Sequence, residues 1–394
     1  MTSSISGIAS TPGNSGLAAN QLPPVSAATA ERLQIARTLC IFFMVFAHSF
    51  PMLLTPDGVT AAALGNTARI VSAILYDGLA RVSMPLLSIL SGYLALQSYG
   101  RRGYRGVLTE KLRTLLVPLI AWSALSIMFD LGYGAASGGL ADIVARLPTD
   151  ALGWVNALVG LTDKPWNFPL YFLRDLFLCF LLLPVFLFLL KLSRSGTLLL
   201  VVVLCAGTTT LFGLVDGGIL PIFQRQTIPV LFVLGLAIRM GPLPMPSLNV
   251  ESWRGPATIV ALALLIALTM SRATVEAAAW GFFFEPLRLT LGIGVAWCVI
   301  SLVAGSAVGA AMLRLARFVF LVFCSHEIVL SLLGIGLRAV FDWSVPTSVR
   351  LVATLLAPLL CFALAALVQP RLEDWLPRLT VILLGSRHRG GLPA

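Results

Sequence analysis

Apolar residues fill the chain in blocks about 20 residues long, separated by short polar or basic joints. A helix needs roughly 20 apolar residues to cross the hydrocarbon core of a bilayer. Windows of that kind fall near residues 35–55, 73–97, 113–133, 168–191 and 197–215. Five more follow near 221–240, 256–272, 287–308, 316–336 and 347–368. The pattern predicts an all-α, polytopic membrane protein with about ten transmembrane helices. The sixth window is the weakest, because Arg225 and Gln226 interrupt it.

Composition strengthens this picture. The 394 residues are 58% hydrophobic and only 11% charged, with a mean hydropathy of +0.93. Soluble domains carry roughly a quarter charged residues, so a soluble fold of this size would lack the polar surface to cover its core. Residues 1–30 differ, being rich in Ser, Ala, Gly, Thr and Pro without a basic residue. They lack the charged and apolar regions of a signal peptide and are expected to form a disordered cytoplasmic tail. The organisation read from the chain is therefore this tail, a transmembrane domain over 31–370, and a short basic cytoplasmic tail over 371–394.

The net charge of +10 raises the possibility of nucleic-acid binding. Its distribution argues otherwise, because the basic residues sit at helix ends, as topology control requires. With the N-terminus cytoplasmic, the inner side gathers Arg32, Arg37, the cluster from Arg101 to Arg113, Lys191, Arg239, Arg314 and Arg317. An even number of helices places both termini inside. Trp154 and Trp166 in the longest outer loop are candidate interface anchors. The six cysteines all lie in apolar segments without CxxC spacing, so they read as packing residues rather than disulfide or metal ligands.

Ionisable side chains inside a bilayer are costly and usually face a polar cavity. The first helix, ERLQIARTLCIFFMVFAHSFP, places Arg37 at its inner end and His48 past its midpoint. Eleven residues advance a helix by about 16 Å and roughly three turns, so both side chains share a face. Arg81 in the second helix and the Arg174–Asp175 pair in YFLRDLF fall at a depth similar to His48. The pair is open to a purely structural reading, in which each charge offsets the other's burial. Asp130 either joins this group or faces water. FCSHEIVL brings His326 and Glu327 near mid-membrane. The Ser91-Gly92-Tyr93 step suits close approach of a ligand or of another helix. At the inner face, Arg37, Arg101, Arg102, Arg105, Lys111 and Arg113 serve either topology or phosphate binding. No P-loop, HExxH or GxSxG motif occurs.

At these residues the chain resembles the acyltransferase family 3 of bacterial membrane acyltransferases. Arg37 and His48 reproduce that family's Arg-x10-His pattern on the first helix. PLLSILSGYL, KLRTLLVPLIAW, PLYFLRDLFLCFLLLP, FVLGLAIR and FVFLVFCSHEIVL continue the likeness in order, over most of residues 31–370. The family's Arg-x-x-Arg at the start of the third helix is not cleanly matched. Lys111 and Arg113 stand nearest, with Thr114 where an arginine is expected.

The resemblance implies a bacterial inner-membrane enzyme with no bound cofactor and no metal. It implies transfer of an acyl group, often acetyl, from cytoplasmic acyl-CoA. The acceptor is a hydroxyl of a cell-surface or exported glycan or its lipid-linked precursor. His48 would act as general base and Arg37 would orient the donor. Lys111 and Arg113 would contact the donor phosphates. Arg81, Arg174, Asp175, His326 and Glu327 would hold the acceptor or the developing oxyanion. A secondary transporter or flippase for a glycan or small anion is the competing class, although no inverted repeat is visible.

Overall fold

The computed structural model describes residues 25–54, 66–193, 195–197, 223–225, 227–241, 251–270, 284–341 and 345–385. Among these residues there is no β-strand. Five helical stretches are long and apolar enough to cross a membrane, or six if one bent pair counts as a single span. They are Ala27–Leu54, Ile70–Ser137, Glu285–Val303, Ala307–Phe341 and Thr347–Trp375, with Phe168–Leu181 and Leu183–Leu192 as the bent pair. The chain is thus an all-α membrane protein.

The first helix, α1 (Ala27–Ser49), starts within the stretch expected to be a tail. The reason is local: Ser26 Oγ accepts from Thr29 N at 3.2 Å and caps the first turn. Residues 1–24 of that expected tail lie outside the described residues. Pro51 lacks an N–H, and here α1 passes into a wider π-helical turn over Phe50–Leu54.

A short helix, α2 (Asn66–Ser72), leads through a wide turn at Ala73–Leu79 and a tight one at Ala80–Val82 into α3 (Ser83–Lys111). The run from Ile70 to Ser137 is 68 residues long, roughly 100 Å if straight, far more than one bilayer. It breaks at Gly103, whose φ of 66° lies in the left-handed region that glycine tolerates. Past a wide turn at Leu112–Leu116 come α4 (Val117–Ser137) and two short helices, α5 (Leu140–Ala145) and α6 (Ala151–Val159).

The fourth window becomes two helices, α7 (Tyr171–Leu181) and α8 (Leu183–Leu192), inclined at 56°. Pro184 cannot donate to the Phe180 carbonyl, so the helix parts there. Tyr104 from the far side of the Gly103 break donates its hydroxyl to Leu181 O at 2.8 Å, capping a carbonyl that the break leaves free. Of the fifth window, only Thr197 is among the described residues. The sixth survives as α9 (Thr227–Met240), only 14 residues long.

The remaining helices are α10 (Glu251–Met270), α11 (Glu285–Val303), α12 (Ala307–Leu315), α13 (Val319–Phe341) and α14 (Thr347–Trp375). A last helix, α15 (Pro377–Leu384), forms in the stretch expected as a basic tail. It folds because Thr380, Leu383 and Leu384 are buried, and Trp122 Nε1 of α4 donates to Leu383 O at 3.1 Å.

Helix α1 is central. Its most apolar window is 61% buried, against 28–44% for the other long spans. Thr38 Oγ1 donates to Met312 O of α12 at 3.1 Å, and Phe42 stacks on Phe362 of α14. Helices α3 and α9 approach at backbone distance. A Cβ on Gly92 would lie 1.9 Å from Phe232 O, and one on Gly235 would lie 2.1 Å from Ile89 O. Glycine at position 92 therefore serves helix packing.

Candidate functional site

Helix α1 runs unbroken through both Arg37 and His48, so their shared face follows from the helical period. Between them the stripe is filled by Cys40, Ile41 and Met44, all buried. The site therefore has two polar ends joined by an apolar middle.

At one end the half-buried His48 ring meets His326 of α13, with centroids 4.9 Å apart and planes 56° apart. His326 is completely buried. Its Nδ1 lies 2.8 Å from Phe323 O. A carbonyl only accepts, so Nδ1 carries the hydrogen and Nε2 keeps a lone pair. That Nε2 is buried and has no hydrogen-bond partner among the described residues. Glu327 sits one position on, about 100° round the helix from His326. Its Oε2 is likewise buried without a partner among the described residues.

Beside this end, Asn167 ties the loop before α7 to two helices. Its Nδ2 donates to Ser126 Oγ of α4 at 2.9 Å and to Cys324 O of α13 at 3.4 Å. Trp166, expected as a lipid anchor, donates instead to Asp130 Oδ2 at 2.8 Å. Asp130 thus holds that loop rather than facing water alone.

The other end collects cations. Ser83 lies near the His48 end, because Ala80 packs with Phe46 and Phe50 of the α1 terminus. Tyr93, ten residues on, is therefore about 15 Å toward the Arg37 end. Arg239 of α9 reaches it, with Nη1 donating to the Tyr93 hydroxyl at 3.4 Å and the guanidinium over its ring at 5.3 Å. Lys111 lies over the Phe180 ring at 4.8 Å, pairs with Glu110 at 3.6 Å and is largely buried. Phe180 in turn packs edge-on against Phe232 of α9. Thr114, one turn beyond Lys111, also faces inward and has its hydroxyl buried. Arg113 is exposed, so the structure separates it from Lys111. Arg37 is half-buried. Arg102 pairs with Glu110, and Arg101 and Arg105 are exposed.

Arg174 and Asp175 are buried but fully engaged. Arg174 Nη1 donates to Asp175 Oδ1 at 2.6 Å, and Nη2 donates to Leu161 O at 2.9 Å. Asp175 also accepts the backbone N–H groups of Gln224 at 3.2 Å and Arg225 at 2.9 Å. Arg81 pairs with Asp77 at 3.4 Å and lies over the Tyr76 ring at 5.2 Å. No hydrogen bond or ion pair among the described residues joins Arg81, Arg174 or Asp175 to His48.

Two groups escaped the sequence reading. Arg288 of α11 is almost fully buried and grips Glu285 at 2.7 and 2.5 Å while donating to the Asp77 carbonyl. The i,i+3 Glu–Arg spacing in EPLRL, inside an apolar block, was the signal for it. Arg239 was read only as a topology charge, and nothing local to FVLGLAIR points to Tyr93.

Comparison with known proteins adds the chemistry. A family model described as "Acyltransferase domain" matches residues 31–367. The chain is also similar to the Succinoglycan biosynthesis protein ExoH of Rhizobium meliloti (strain 1021). They are 28% identical over 320 residues, covering 77% of this chain and 79% of that protein. No solved structure matches the chain.

Proposed function

Since the chain belongs to the acyltransferase family of that model and is a membrane-bound O-acyltransferase, we propose that its donor is cytoplasmic acyl-CoA, acetyl-CoA by preference. The acceptor in this reading is a hydroxyl of a cell-surface or exported glycan, or of its lipid-linked precursor. The name of the similar ExoH protein, which ties that protein to succinoglycan synthesis, supports a polysaccharide acceptor. The enzyme works in the bacterial inner membrane, with the Arg37 end toward the cytoplasm.

One observation carries this reading: a half-buried imidazole, His48, lies on the same face of one central helix as Arg37, about 16 Å away. His48 takes the proton from the acceptor hydroxyl as its oxygen attacks the acyl carbon. The carbon–sulfur bond breaks, and the imidazolium returns the proton to the departing thiolate. Overall, hydroxyl and thioester become ester and thiol.

At the cytoplasmic end, Arg37, Lys111 and Arg239 offer cations to the donor phosphates through charge-assisted bonds. The donor's pantetheine arm would have to run past the Cys40, Ile41 and Met44 stripe to bring the thioester to His48. At the other end, the unpartnered Glu327 oxygen and the half-exposed Arg81 beside Tyr76 suit the hydroxyls of a sugar. Arg174 and Asp175 act by fixing the loop ends at Leu161 and Gln224.

The test is mass analysis of surface polysaccharide from cells with the wild-type chain, with His48→Ala, or with neither. An ester dependent on the chain and lost in H48A is expected. A polysaccharide of identical mass in all three would refute the acceptor class. Formation of that ester in washed membranes without acyl-CoA would refute the donor.

A further inference from the structure

The reaction needs His48 in one tautomer, with a lone pair toward the acceptor hydroxyl, and it needs the imidazolium to be tolerated in a low-dielectric site. A carboxylate commonly performs both tasks for a catalytic histidine. No carboxylate contacts His48 among the described residues; its neighbour is a second imidazole. We propose that His326 is the positioning residue of this acyltransferase, accepting an N–H from His48 through its Nε2 once the His48 ring turns toward it.

This inference rests on His48 being the general base. Three observations carry it further. The two rings touch, at 4.9 Å between centroids. The Nδ1–H of His326 is committed to Phe323 O at 2.8 Å, which fixes its tautomer and leaves an acceptor at Nε2. That Nε2 is buried and has no partner among the described residues. The two rings touch without a hydrogen bond in this structure; a buried acceptor left open is costly, and a turn of the His48 ring would bring its far N–H to it.

With that bond made, the relay would run from the Phe323 carbonyl through the His326 ring to the His48 N–H. It leaves the other nitrogen of His48 basic and facing the substrate. When that nitrogen takes the hydroxyl proton, the positive charge on His48 is shared toward the His326 lone pair and the carbonyl dipole behind it. No permanent charge has to be buried to do this, unlike an aspartate in the same place. The contrast in exposure fits the two roles. His48 keeps some exposure, while His326 is fully enclosed.

The experiment compares His326→Gln with His326→Leu in membranes that contain the full chain and its native glycan, with acetyl-CoA as donor and thiol release as readout. Glutamine keeps an acceptor oxygen; leucine fills space alone. H326L is expected to lower kcat about 100-fold, the scale of a misdirected general base. H326Q is expected to stay within about tenfold of wild type. KM for acetyl-CoA should change less than about twofold in both, because the donor phosphates bind at the other end. Activity of H326L equal to or above that of H326Q would mean that His326 only packs, and would overturn the proposal. A raised KM with unchanged kcat would overturn it too. Should H326L fail to accumulate, His326→Met replaces it with the same expectation. Full activity in H48A would remove the general-base reading itself, whereas an inactive H48A with a fully active H326L would remove this inference alone.

Discussion

Two buried polar pairs lie toward the same end of this bundle, and they are built on opposite terms. Arg174 and Asp175 are saturated: the salt bridge, the Leu161 carbonyl and two backbone amides use both carboxylate oxygens and two guanidinium nitrogens. His48 and His326 are left open, with one ring only partly buried and the other presenting an unused acceptor. A saturated pair has nothing to offer a substrate and holds the chain together. An open pair gives up stability and retains chemistry. Depth and residue type alone did not separate the two; satisfaction of hydrogen bonds did.

The sharpest break of this contrast is His48→Ala. It should lower ester formation by about 1000-fold or more while membrane insertion and thermal stability in detergent stay near wild type. Asp175→Asn should do the reverse. Removing one partner of a buried pair costs about 3–5 kcal/mol, so the melting temperature and yield should fall while the surviving protein keeps its specific activity within about threefold. Equal loss of activity per folded molecule in both variants would erase the distinction.

The Arg37 end permits a finer comparison between neighbours. Lys111 is largely buried against Phe180 and Glu110, whereas Arg113 points outward. Lys111→Ala should raise KM for acetyl-CoA about tenfold with little change in kcat, as loss of one charge-assisted phosphate contact would. Arg113→Ala should change neither constant by more than about twofold. Steady-state kinetics in membranes check both. A larger effect at Arg113 would mean that the donor approaches from the exposed side of this turn.

Arg37 and His48 could be aligned from their numbers alone, because a continuous helix converts an eleven-residue spacing into a shared face. Gly92 could be recognised as a point of close approach, but not assigned to ligand or helix. Its partner, Phe232, lies far along the chain, beyond the reach of local pattern. The break at Pro184 was present in FLLLPVF, yet the fourth window read as one span because hydropathy is blind to direction. The Glu285–Arg288 grip is an i,i+3 pair, which a comparison of charges by depth does not register.

By itself the sequence determined that this chain lies in a membrane, that it is helical, and that one helix carries a guanidinium and an imidazole in line. Hydropathy and helical period are properties of consecutive residues, so consecutive residues suffice to reveal them. The tertiary structure decided which of the buried charges are spent on each other and which ring stands behind His48. Those contacts join α1 to α13 and α7 to the segment before α9. Their meeting is set by how the helices pack, and a linear pattern carries no record of that.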